Sequence, residues 1–181
     1  MNNLRQKVLE EVTSKKIEIP QIATTGNQEL SNPIDFTSGA ISARFCSLLS
    51  SWVELHQLGY IVTNTGFKLS NGDVIAPHIS FYSKEKLKQV PRIYPELSPN
   101  LVVEIKSAFE QLNTVQSKIF QFLEMGIGSA ILINPDRRSV SIYINEGDKK
   151  PIVNVLQDGD KLSLPELFPD LQLEISQLWV Y

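Results

Sequence analysis

An acid and a base interrupt one of the most apolar stretches of this chain. In PNLVVEIKS, residues 99–107, Leu101, Val102, Val103 and Ile105 are residues of a buried strand, yet Glu104 and Lys106 stand among them. Side chains alternate along a strand, so Asn100, Val102, Glu104 and Lys106 share one face and Leu101, Val103 and Ile105 the other. Glu104 and Lys106 then lie roughly 6–7 Å apart. Neither residue type is found fully buried unless paired. Two readings are open. In the first, the strand emerges from the core and the two side chains form an ordinary salt bridge near solvent. In the second, the carboxylate binds a hard divalent metal. The lysine then orients or deprotonates a water, or stabilises developing negative charge. A metal-assisted attack on a phosphodiester needs those parts.

Other candidates are weaker. Cys46 is the single cysteine of the 181 residues, so no internal disulfide can form. It reads as a small core residue on a helix, in a reducing compartment. His56 reads as a surface residue near a helix C-terminus, and Glu54 as solvent-facing. The chain carries a net charge of −3 and is 42% hydrophobic, enough for a real core but no electrostatic sign of nucleic-acid binding. Lys84, Lys86, Lys88, Arg92, Arg137 and Arg138 are scattered and read as solvated residues that DNA could also use. No run reaches the length and apolarity of a membrane span, and the first residues, MNNLRQKVLEEV, hold no apolar signal region. A cytoplasmic protein with no membrane contact is expected.

The elements that must position these residues follow from periodicity. Leu4, Val8, Leu9 and Val12 space a short amphipathic helix over 3–14. A proline-containing arm follows to about residue 38. Ile41, Phe45, Leu48, Leu49, Trp52, Val53 and Leu55 predict a helix from Ala40 to Leu58, stopped at Gly59. Hairpin signals at NTG and NGD separate strands near 60–63, 66–69 and 74–82. SKEKLKQV reads as a short polar helix or loop. The strand at 101–106 precedes an amphipathic helix with Leu112, Val115, Ile119, Phe122 and Leu123 facing inward and Gly126 ending it. SAILIN and SVSIYI are strands joined by a turn at PDRR; PIVNVL and KLSLPELF read as edge strands and turns. The chain closes on a strand or short helix in which Trp179 packs. Two apolar strands joined through a helix imply a right-handed parallel crossover. The fold expected is α/β, with a central mixed β-sheet flanked by helices.

Several of these stretches, in order and over about 140 residues, resemble the Uma-two family of restriction-type endonucleases within the PD-(D/E)xK nuclease superfamily. They are TGFKLSNGDVIAPHISFYSKEKL, PNLVVEIKS, LNTVQSKIFQFLEMGIGSAILINPDRRSVSIY and the closing LPELFPDLQLEISQLW. The N-terminal 30 or so residues lie outside the resemblance. It implies a restriction-endonuclease-like nuclease domain over 39–181, preceded by the helix and arm of 1–38, and metal-dependent hydrolysis of DNA. Residue by residue, Glu104 becomes the metal-binding carboxylate and Lys106 the superfamily lysine. Gln116 and Lys118 match helix positions that often carry polar active-site residues. The cofactor implied is a divalent metal, Mg2+ or Mn2+.

The chain departs from the family pattern at two positions. Pro77-His78 stands where the family has proline-aspartate, a principal metal-ligand position, and Asn100 where the family has aspartate. His78 is then a metal-ligand candidate suited to a transition metal more than to magnesium. The site would hold one acid, Glu104, unless Asp73, Glu54 or another residue swings in, and its negative charge falls by about two units against the family pattern. Two functions stay open: an endonuclease with an altered ligand set, and a catalytically inactive nuclease-fold protein acting as a DNA-binding or assembly module. Superfamily nucleases often pair because cutting both strands needs two sites. A homodimer is thus implied, with the arm near 19–37 as a candidate interface.

Overall fold

A computed structural model describes residues 34–180. The helix expected at 3–14 and the arm up to residue 33 lie outside the described residues. The first described helix, α1 (Phe36–Leu55), begins before the expected Ala40 because Asp35 caps it: the Asp35 carboxylate accepts the Ser38 amide. Ser38, Ile41, Ser42, Phe45, Leu49 and Val53 recur at helical spacing and form its buried stripe. The helix also ends earlier than Gly59. His56 is its C-cap, Gln57 takes the left-handed conformation (φ 52°), and the Leu58 amide returns to the Val53 carbonyl.

Gly59 instead opens β1 (Gly59–Thr63), where a Cβ would stand 2.0 Å from the Tyr82 carbonyl oxygen. A two-stranded hairpin follows, β2 (Phe67–Lys68) with β3 (Val74–Ile75). The single strand expected over 74–82 is divided: β4 runs only from Ile79 to Ser83. Pro77 stands in the gap, and a proline cannot donate to a strand ladder. The stretch SKEKLKQV is turn and irregular backbone rather than helix.

The remaining elements are β5 (Leu101–Ile105), α2 (Leu112–Glu124), β6 (Ser129–Asn134), a 3-10 turn at Pro135–Arg137, β7 (Ser139–Ile144) and β8 (Ile152–Leu156). They complete a six-stranded sheet in the order β1-β4-β5-β6-β7-β8. Among the described strands only β5 and β6 pair in parallel, and α2 connects them. Short strands β9 (Lys161–Leu162) and β10 (Leu173–Glu174) form a separate pair, followed by a 3-10 turn at Ile175–Leu178.

Each sheet face carries its own core. Leu101, Val103 and Ile105 of β5 join Phe45, Leu49, Val53, Phe168, Leu178 and Trp179 on the α1 side. Val102 joins Val115, Ile119, Phe122 and Leu132 on the α2 side. The alternation expected of β5 is therefore the alternation between two cores. Among the described residues no helix is long and apolar enough to cross a membrane.

Candidate functional site

The site forms where β4 begins and β5 ends. In their antiparallel register Ile79 lies opposite Val103, so His78, one step earlier, comes level with Glu104. His78 Nδ1 is 2.7 Å from Glu104 Oε2, and the two side chains are 13% and 4% exposed. An ionised carboxylate only accepts hydrogen bonds, so Nδ1 carries the proton and donates it to Oε2. Burial pushes the His78 imidazole toward neutrality, and Lys118 adds to that. The hydrogen bond and charge of Glu104, with the charge of Glu110, outweigh both and raise its pKa.

A second ion pair lies beside the first. Glu110, on the segment between β5 and α2, accepts from Lys118 Nζ at 2.7 Å and from the Ser107 amide at 3.4 Å. Burial pushes the Glu110 carboxyl up. Lys118, the Ser107 amide and the His78 charge together pull it below its ordinary value. Lys118 is positioned by α2, whose Val115, Ile119, Phe122 and Leu123 are buried as expected. Gln116 is half-buried on the same helix, but residues two apart do not share a helix face, so it does not accompany Lys118.

Lys106 turns elsewhere. Its Nζ lies 2.6 Å from Asp136 Oδ2 and 3.1 Å from the Ser107 carbonyl oxygen, with the side chain 11% exposed. Asp136 belongs to the turn that leaves β6, and the parallel pairing of β5 and β6 brings that turn to the same end of the sheet. The strand's acid and base therefore each hold a different partner. The backbone beyond Lys106 is clipped to α1: Asp35 Oδ2 accepts the Ala108 amide at 2.9 Å and lies 2.9 Å from the Ser38 hydroxyl, which is also 3.3 Å from the Lys106 carbonyl oxygen. Burial pushes the Asp35 carboxyl up, and these hydrogen bonds overcome it and hold it below the ordinary carboxylate value.

Asn100 is not at the site. It stands at the opposite end of β5, about 13 Å from Glu104 along the strand, where its Oδ1 accepts the Ser83 amide at 2.9 Å. The deficit of acids at the site is thus one, at His78, not two. Neither Asp73 nor Glu54 replaces it. Asp73 is held in the β2–β3 turn by Asn71, and Glu54 is exposed near the C-terminal end of α1. The neighbouring carboxylate is Glu110, which the sequence reading did not single out. Its signal was faint: a lone acid in SAFEQ, made relevant only by the way α2 returns Lys118 to it. In the sequence Asp136 reads as part of the PDRR turn.

The basic residues divide between the two ends of the sheet. Lys84, Lys86 and Lys88 follow the end of β4 away from His78, and Arg92 lies further along the same loop. Arg137 and Arg138 stand on the β6–β7 turn beside Asp136, at the site end, and Arg138 donates to Asp158 at 2.8 Å.

As placed, these donors do not fit a hard dication. Such an ion takes several oxygens. Glu104 is committed to the His78 imidazole, whose Nδ1 has no free lone pair while it donates to the carboxylate, and Glu110 is committed to Lys118. Among the described residues no three His, Cys, Asp or Glu side chains gather in a group that could hold a metal.

The chain is thus an α/β fold with a mixed sheet and a polar cluster at the carboxyl ends of its two parallel strands. Residues 12–176 match the model of the Uma2 family, described as "Putative restriction endonuclease", and the chain belongs to that family. The match reaches into the N-terminal region that the sequence resemblance left out. The crystal structure of a "putative nuclease belonging to DUF820" from Anabaena variabilis superposes with a TM-score of 0.67 at 20% identity, over 78% of this chain and 79% of that one. A cryo-electron-microscopy structure of a DrdV–DNA complex matches with a TM-score of 0.45 at 18% identity, over 68% of this chain and 10% of that one. No curated protein matches the chain.

Proposed function

We propose that this chain is a DNA-binding protein on a nuclease fold, whose metal site is closed by an internal ion pair, so that it does not cleave DNA with Mg2+ as it stands. The observation that carries this reading is the 2.7 Å bond between His78 Nδ1 and Glu104 Oε2 in a buried setting. The hydrogen bond from His78 occupies the carboxylate to which the family resemblance assigns a metal cation. Membership of a family described by restriction endonucleases supports DNA as the partner.

A second reading, an active endonuclease taking Mn2+ or Mg2+ through His78 and Glu104, has one observation in its favour. Glu110 lies close enough to act on the charge of His78, so a rotated imidazole would leave two acids near one another. A plasmid-nicking assay with Mg2+ and with Mn2+ separates the two readings, using wild type, His78→Asp and the double variant His78→Asp/Lys106→Ala. No cleavage by wild type is expected, with cleavage by His78→Asp reduced at least about 100-fold when Lys106 is removed. Cleavage by wild type with either metal would overturn the closed-site reading. Cleavage by both variants at equal rates would remove Lys106 from the chemistry.

A further inference from the structure

The six-stranded sheet begins at an open edge. Among the described strands β1 pairs only with β4. The Lys84 amide donates to the Leu58 carbonyl and the Asn64 amide to the His78 carbonyl. By the alternation of an antiparallel ladder, Tyr60 and Val62 then turn their backbone groups to β4, and Gly59, Ile61 and Thr63 turn theirs outward. The Thr63 carbonyl accepts the Thr65 hydroxyl; the outward groups of Gly59 and Ile61 bond to no described residue. The strand GYIVT holds neither a lysine nor a proline to discourage pairing. Beside it runs an apolar cleft of about 550 Å3, lined from α1 by Val53 and from the loop after β4 by Leu87, Val90 and Ile93. Val90 and Ile93 are 66% and 75% exposed. A sheet takes up an extended peptide at such an edge: main-chain hydrogen bonds supply affinity, and pockets for alternate side chains supply selectivity.

Charge and one buried hydroxyl select the peptide. The loop after β4 carries Lys84, Lys86, Lys88 and Arg92. None of them has an ion-pair partner among the described residues. Lys84 reaches the Gln57 carboxamide at 3.4 Å, and Lys86 reaches the Ser98 hydroxyl and the Pro99 carbonyl. The acids close by are fewer: Glu85 on the same loop, and Glu54, which lines the cleft from α1. Glu96 is already paired with Lys68 at 3.2 Å. Tyr82 also lines the cleft; it is 1% exposed, and its hydroxyl has no hydrogen-bond partner among the described residues. Burial pushes its pKa up to about 12, so it keeps its proton and can donate to an oxygen. We propose that the β1 edge and its cleft bind an extended acidic segment of a partner protein, which adds to the sheet as a strand beside β1 and sets its carboxylates against Lys84, Lys88 and Arg92. A second copy of this chain would bring the same surplus of cations, and duplex DNA has neither a peptide main chain for the edge nor apolar side chains for the cleft. No residue of the His78–Glu104 cluster lines the cleft, so the inference does not depend on whether that site is active.

Fluorescence polarisation with the full chain tests this, using two labelled octapeptides that share a valine–threonine core. One is flanked at both ends by glutamates, the other by lysines. The glutamate peptide is expected to bind at least about 10-fold more tightly. Lys88→Glu/Arg92→Glu, at two exposed positions, is expected to reverse that order. Methylating every second backbone nitrogen of the glutamate peptide removes one of its two sets of main-chain donors. Of the two peptides so made, one should lose binding and the other keep it, with the protein itself unaltered. Tyr82→Phe is expected to weaken the glutamate peptide about 5-fold without lowering the melting temperature, because the hydroxyl it removes bonds to nothing in the free protein. Equal affinity for the two flanked peptides, binding of neither, or equal effects of the two methylation patterns would overturn the inference. So would displacement of the peptide by a DNA duplex, or a dimer of the chain that the glutamate peptide dissociates; the edge would then belong to DNA or to a second copy.

Discussion

At the residue scale the central fact is a pair of titrating groups in contact. The pKa of His78 is raised in the folded chain above its ordinary 6.5. The charged imidazole therefore binds its proton more tightly in the folded than in the unfolded state. The stabilisation it contributes is complete below pH 6.5 and is lost as pH rises through the folded value. Urea denaturation across that window should show the wild type losing stability with rising pH, and His78→Gln losing less. A wild type no more pH-sensitive than the variant would mean that the pair is not charged in solution. The sequence showed part of this. Glu104 and Lys106 were visible as polar residues in an apolar strand, and His78 as a departure from a familiar dipeptide. Their partners were not visible, because they are set by register. His78 meets Glu104 only through the pairing of β4 with β5, and Lys106 meets Asp136 only through the pairing of β5 with β6.

At the element scale most of the fold was legible, because strand and helix periods are local signals. The strands at 101–105, 129–134 and 139–144 and the helix at 112–124 fall where apolar spacing placed them. The misses are at boundaries and breaks. Asp35 and Ser38 form a cap that was read as arm, and Pro77 divides what had read as one strand. The cap also reaches across to Ala108. Asp35→Ala should therefore cost about 1–2 kcal/mol in thermal or chemical denaturation. Asp35→Asn, which keeps an acceptor at the cap, should recover part of that. Equal losses in the two variants would mean that the carboxylate's charge, rather than the cap, matters.

At the scale of the whole molecule, the sheet separates basic residues that sequence order could not sort. If DNA approaches the site, it meets Arg137 at that end and not Lys88, which follows β4 at the other. Arg137→Ala should weaken binding to a duplex at all sequences and lower the salt dependence of affinity by about one counterion. Lys88→Ala should leave both unchanged. Fluorescence anisotropy at several salt concentrations reads the two slopes. Equal effects of both substitutions would place the DNA elsewhere. Which end of a sheet a loop occupies depends on strand direction and order, and a sequence carries those only through contacts between distant residues.

The geometry at His78 has a further, genetic meaning. With Asn100 removed from the site, a single side chain separates this arrangement from two facing acids. Histidine codons (CAY) and aspartate codons (GAY) differ in one base. On the proposed reading, closure of the site is one base substitution deep.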